Sequence, residues 1–266
     1  MTNLESKLLA ICRDENIDVL IDSYWEATLS KQIKWLFCIH VIHGHFKLLY
    51  NPNLANYNVL VLLTRQEYSI WAKNFKHIEV IPNFVKAPKE SCDITSQNII
   101  FVGRLTEQKG LFRLLKAFSK MKVKRHLMIV GDDEQKEALK DYIIKHNLDA
   151  SIEGYKEDVG SYYKKASIFA MTSFHEGLPM VMLEALSYGL PLVAFDVPTG
   201  PSECIEDNKN GFLIKDDDIE SFAKALDTLS SDEALRRTFG ARSQEIFLSK
   251  FEESKVTSKW LKLLDF

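Results

Sequence analysis

Cysteine is scarce and scattered. Cys12, Cys38, Cys92 and Cys204 are all the chain has in 266 residues, and no two form a CxxC pair. That argues against a disulfide frame or a zinc site and reads the thiols as small apolar side chains in a reducing compartment. Long apolar runs are missing too. The most apolar stretches, 35–42 and 59–63, fall far short of the ~20 residues a membrane-spanning helix needs. The first twenty residues have no basic segment followed by an apolar core, so a secretory leader is not expected. There is no basic excess: 34 Lys and Arg stand against 37 Asp and Glu, for a net charge of −3. That argues against a general nucleic-acid binder. No fixed-period repeat, low-complexity tract, GxGxxG or Walker A loop occurs. A cytoplasmic globular protein is expected, with peripheral contact at the inner face of a membrane left open.

What is present is patterned. Short apolar runs alternate with amphipathic segments, which is the signature of parallel strands buried on both faces. Runs at 18–21, 34–42, 59–63 and 78–81, with helices over 3–14 and 65–75, predict one α/β section. Residues 86–97 are polar and carry Pro88, Ser91 and Ser96, which reads as a linker. A second series follows, with strands at 98–102, 127–130, 168–172, 192–195 and 212–214 and an edge strand at 151–153. Helices are expected over 111–119, 134–146, 179–188 and 219–229, and a helical tail over 235–266. This series is enough for a complete doubly wound domain.

Three loops of this second series carry chemistry. In the first, 101–110, Gly103 permits a tight turn after a strand and Gly110 sits where a helix begins. Arg104 and Lys109 put two cations beside a helix N-terminus, the makings of an anion site. The same residues would also serve in a solvated loop with ordinary surface cations. The second loop runs from His175 to Leu186. Pro179 suits a first helical turn, and Gly189 with Pro191 stops the helix. Met180 to Leu186 is apolar on nearly every face, so burial is expected. Glu184 inside it then needs a cation or hydroxyl partner. Glu176 and Glu184, eight residues apart, suit gripping polyhydroxylated groups. The plainer alternative is a core salt bridge for Glu184 and a solvated Glu176. The third loop, 196–205, presents small residues and backbone N–H groups at the same sheet edge, or is a plain turn.

Other clusters weigh less. His40, His43 and His45 end a strand without a carboxylate at ligand spacing, so no metal site is expected there. A neutral imidazole could hydrogen-bond a sugar hydroxyl or a leaving phosphate; packing one ring and solvating the others is the alternative. Asp216, Asp217 and Asp218 mimic an acidic metal motif but precede a helix, and read as a cap. Asp132 and Asp133 read as a turn and helix start.

Together the three loops resemble the retaining glycosyltransferases of family 4, which have the GT-B fold. The residues GRLTEQKG, the pair Glu176 and Glu184, and GPSE with DNKNGFLI stand in the family's order. The likeness covers 98–262 well and 30–85 more loosely. Thr64–Gln66 and Ile81–Asn83 resemble transferases that build teichoic acid, lipopolysaccharide or capsule. The resemblance implies two Rossmann-like domains: residues 1–85 as an incomplete acceptor domain, 86–97 as linker, 98–245 as donor domain, and a helix over 246–266 packing back toward the N-terminal domain. It implies retaining transfer from a nucleotide-diphosphate sugar, with UDP the expected carrier, to a glycan or lipid-linked glycan, without cofactor or metal. Donor binding would fall to Gly103, Arg104, Lys109, Glu176, Gly177, Leu178, Met180, Val181 and Glu184. Catalysis would fall to His43, Arg104, Lys109 and Glu176, with His40 the alternative histidine. The family's glycine-rich N-terminal loop has no counterpart before residue 30. A complementing chain, or a remnant that binds nucleotide sugar without turnover, is therefore the alternative expectation.

Overall fold

A computed structural model describes residues 3–24 and 26–265. Met1, Thr2, Trp25 and Phe266, which fall in the expected segments 1–85 and 246–266, lie outside the described residues. The chain divides into two compact units, Met1–Asn83 and Phe84–Phe266.

The first unit is built on four parallel strands: β1 (Val19–Asp22), β2 (Phe37–Ile42), β3 (Val59–Leu62) and β4 (Ile78–Val80), paired in that order. β2 and β3 are buried along nearly their whole length, which is why they read as unbroken apolar runs. The Asn3–Asp14 helix sends Leu9 and Cys12 into a core shared with Cys38, Leu60 and Trp71. The helix expected over 65–75 contracts to Tyr68–Trp71. Glu67 spends its carboxylate on the Phe46 N–H at 2.6 Å. The Asn74 amide donates to the Ile70 carbonyl at 3.3 Å, a local bond that competes with the helical ladder.

The second unit carries six parallel strands: β5 (Asn98–Val102), β6 (His126–Val130), β7 (Ala150–Gly154), β8 (Ile168–Met171), β9 (Leu192–Asp196) and β10 (Gly211–Lys215). Their spatial order is β10-β9-β8-β5-β6-β7. The order reverses between β5 and β8, and in a doubly wound sheet the crevice outside the carboxyl ends at such a reversal binds ligands. The Leu111–Ser119 helix buries Leu111, Leu114, Leu115 and Phe118, an i, i+3, i+4, i+7 stripe, and leaves Lys116 exposed. That stripe joins Phe101, Ile129, Phe195 and Phe222 in one core.

Residues 86–97 are not a free tether. The Cys92 N–H donates to the Tyr188 carbonyl at 2.9 Å and the Asp93 N–H to the Lys164 carbonyl at 2.8 Å. Arg236 Nε donates to the Ile94 carbonyl at 3.0 Å. Polarity along this stretch therefore reflects a surface segment tied down by its backbone. Helices Ile219–Ser231, Glu233–Ile246 and Glu253–Leu264 complete the unit. Asp218 and Asp232 cap the first two by accepting from Ser221 and Leu235 N–H. Among the described residues no helix is long and apolar enough to cross a membrane.

Candidate functional site

The loop after β5 begins at Gly103 and ends in a short 3-10 turn, Glu107–Lys109, before the Leu111–Ser119 helix. Gly110 takes φ +62°, and a Cβ there would run into the Thr172 carbonyl oxygen. Glycine is thus required because the loop after β8 lies directly against it. Arg104 is exposed, and among the described residues no side-chain partner holds its guanidinium. Lys109 is not the surface cation of the plainer reading: its Nζ sits 2.7 Å from Glu176 Oε1, with both side chains largely buried. The first loop therefore offers one open cation and one compensated cation.

The loop after β8 carries Glu176, which is buried instead of solvated at the mouth. The helix that follows runs Met180–Ser187, with Pro179 just before it. Its deep face is buried as expected, but Met180 is 39% exposed. Val181 is half-buried, so the first turn opens on the rim. Glu184 is half-buried and finds the hydroxyl partner that its apolar setting demands. Tyr163 donates to Glu184 Oε2 at 2.8 Å and to the Val181 carbonyl at 3.1 Å. Burial pushes the Glu184 carboxyl above its ordinary range, against the lowering effect of that bond. The Tyr163 hydroxyl is pushed well up by burial and by the neighbouring carboxylate. Its ring stacks on Tyr188 with centroids 5.2 Å apart.

Side chains not singled out by sequence lock these loops together. Gln108 Nε2 donates to the His175 carbonyl at 2.6 Å, and the Phe174 N–H returns a bond to the Gln108 carbonyl at 2.8 Å. Thr172 Oγ1 donates to the Gly110 carbonyl at 3.0 Å. Arg113, buried in the Leu111–Ser119 helix, reaches the Thr172 and Ser173 carbonyls and pairs with Asp216 at 2.7 Å. So of the acidic triplet only Asp218 is the cap, while Asp216 anchors an arginine. The third loop is more than a turn. The Thr199 hydroxyl donates to the Glu176 carbonyl, and a Cβ at Gly200 would crowd the Gly177 carbonyl oxygen. Leu178 is buried and Gly177 half-buried. A Gln–backbone bond, a buried arginine on the polar side of an amphipathic helix and a threonine in a turn leave no periodic signal. The sequence hint was only that polar residues cluster near Gly110 and Gly200.

The histidines lie in the first unit and are described there alone. His40 is buried within β2, with Nδ1 3.4 Å from Asp22 Oδ2 and its ring edge-on to Tyr57 at 4.9 Å. Tyr57 donates to the same carboxylate, as do the Tyr24 and Thr28 N–H groups. Burial raises the Asp22 carboxyl, but the neighbouring His40 ring and the bonds from Tyr57 and Tyr24 outweigh it and hold it well below the carboxylate range. His43 is exposed just past β2, and His45 is half-buried before the Phe46–Leu49 helix. Among the described residues no three His, Cys, Asp or Glu side chains gather at metal-ligand spacing.

A doubly wound sheet whose rim loops brace one another and carry cations and carboxylates beside the reversal of its strand order places this chain in the α/β class of GT-B proteins. The particular family follows from comparison. The family model of glycosyl transferases group 1 matches residues 87–246, and the chain belongs to that family. It is 33% identical over 219 residues to an amylovoran biosynthesis glycosyltransferase, AmsD, of Erwinia amylovora, covering 77% of this chain and 62% of that protein. It is 28% identical over 246 residues to a poly(ribitol-phosphate) alpha-N-acetylglucosaminyltransferase of Staphylococcus aureus, covering 85% of this chain and 50% of that one. A Staphylococcus aureus TarM variant, solved with fondaparinux, alpha-GlcNAc-glycerol and UDP, superposes with a TM-score of 0.77 at 27% identity, covering 88% and 52% of the two chains. The chain thus spans about half to three fifths of the length of these relatives.

Proposed function

We propose that this chain binds a UDP-linked sugar in the crevice at the β5–β8 reversal and takes part in retaining, family 4 sugar transfer to a bacterial surface polysaccharide or lipid-linked glycan. The observation that carries the reading is the Lys109–Glu176 pair at 2.7 Å, built from the loops on either side of the reversal and flanked by the open Arg104. Such a site would meet a departing diphosphate with the open Arg104, a helix start and the Lys109 ammonium that Glu176 holds in place, and a sugar ring with the Glu176 carboxylate. Charge that builds on the diphosphate as the sugar becomes oxocarbenium-like would be met by Arg104, Lys109 and the N–H groups from Gly177 to Val181. Glu176 would accept from sugar hydroxyls and Glu184 from the ribose, roles supported by family likeness. His43 is assigned to the reacting centre on the same ground. The chemistry needs no metal or cofactor. The proposed location is the cytoplasm, at the inner face of the membrane where a lipid-linked acceptor would be met.

Calorimetric titration with UDP, beside UDP release from a panel of UDP-sugars and extracted glycan acceptor, tests the reading. Wild type should bind UDP and release it. The Arg104→Ala/Lys109→Ala double variant should lose release by at least a hundredfold. Undiminished release would reject the assignment, and binding without turnover in wild type would reduce the protein to a sugar-nucleotide binder.

A further inference from the structure

Arg113 is spent on main chain. Its side chain is buried, and its guanidinium uses four hydrogen bonds. Nε and Nη2 both donate to the Thr172 carbonyl, at 3.2 and 2.6 Å. Nη2 also donates to the Ser173 carbonyl at 2.8 Å, and Nη1 to Asp216 Oδ1 at 2.7 Å. Its Cζ lies 3.8 Å from the Phe174 ring centroid and 4.6 Å from that of Phe195. Residues 172–173 are the first beyond β8, where the backbone leaves the sheet and its carbonyls lose their ladder partners. Three residues further on stands Glu176. A planar fork with fixed donors holds two successive carbonyls and a carboxylate in one set geometry, whereas a lysine ammonium is a point charge on a flexible stem whose three donors rotate. Gly110 packs against the same carbonyl, and its missing Cβ leaves room for the Thr172 oxygen and for Arg113 Nε.

We propose that Arg113 is a positioning residue for the donor site: it fixes the exit of the chain from β8 so that the following loop delivers Glu176 to Lys109. It touches no donor atom itself and acts through the loop. Asp216, after β10, holds the guanidinium from the far side, so β5, β8 and β10 all contribute to where Glu176 stands. This inference rests on the reading of Lys109 and Glu176 as donor-binding groups.

The test is amide hydrogen exchange on the full chain, with and without UDP, for wild type, Arg113→Lys and Arg113→Met. Asp216→Ala, at a half-exposed position, serves if the arginine variants do not fold. Expected is a tenfold or greater acceleration of exchange at residues 173–178, with the β6 and β7 amides unchanged, and at least tenfold weaker UDP affinity in calorimetry. A role in stability alone would lower the melting temperature while leaving UDP affinity and the UDP-induced protection of 174–181 as in wild type, and would overturn the proposal. So would wild-type exchange at 173–178 in a folded variant. If wild type itself shows no UDP protection, the donor reading fails, while the loop exchange still decides what Arg113 holds.

Discussion

At the scale of single residues, two carboxylates illustrate opposite solutions to burial. Glu176 is compensated by a cation, Glu184 by a hydroxyl. Breaking a buried pair by removing one partner costs about 3–5 kcal/mol, because the remaining charge stays desolvated. Lys109→Met should therefore lower stability by about 3 kcal/mol in urea unfolding, and adding Glu176→Gln should restore much of that loss. Loss of transfer in Lys109 variants has to be read beside this measurement. Glu184 behaves the other way. Its folded carboxyl keeps its proton to higher pH than the unfolded chain does, so the folded state binds more protons and stability falls as pH rises through that window. Glu184→Gln should leave the melting temperature unchanged near pH 4 and raise it at pH 7, while weakening UDP binding. A lower melting temperature at both pH values would contradict the burial account. Thiol chemistry follows the same rule: burial pushes Cys38 up to about 11 and Cys92 up to about 12. Native protein should react with a thiol-specific disulfide reagent at least a hundredfold more slowly than unfolded protein.

At the scale of elements, strands were the most legible part of the sequence and short helices the least. β2, β3, β5 and β8 are buried on both faces and so are nearly pure apolar runs, which no competing structure explains as well. The Leu111–Ser119 helix was legible from its stripe. The 65–75 helix was not, because Glu67 and Asn74 make local bonds that propensity does not register. Loop order along the rim could be read, but not that the loops brace one another. Gly110→Ala tests the bracing. Its left-handed backbone and the Thr172 carbonyl in the Cβ position should together cost at least about 2 kcal/mol and displace the β8 loop. The comparison is Gly44→Ala, where φ is not in the left-handed region and the nearest neighbour is the end of the Leu49 side chain at 3.1 Å. Equal stability loss at both positions would argue that loop contact is not the cause.

At the scale of the whole molecule, the second unit has its own six-stranded sheet, its own core and its own terminal helices. Residues 84–266 expressed alone should therefore fold cooperatively and bind UDP within threefold of the full chain. A shorter chain beginning at residue 98 should be less stable, because it loses the backbone bonds that residues 92–94 make to Tyr188, Lys164 and Arg236. The α/β class, the series of parallel strands and the identity of the rim residues are all written in the order of amino acids, since burial on both faces and the demands of tight turns restrict which side chains can stand there. Three-dimensional packing alone settled that Lys109 is paired and Arg104 open, that Glu184 rests on Tyr163, and that Arg113 serves the loop of Glu176. Those partners are separated by 21 to 67 residues in the chain, and no local pattern encodes which polar group will meet which once the sheet reverses its order.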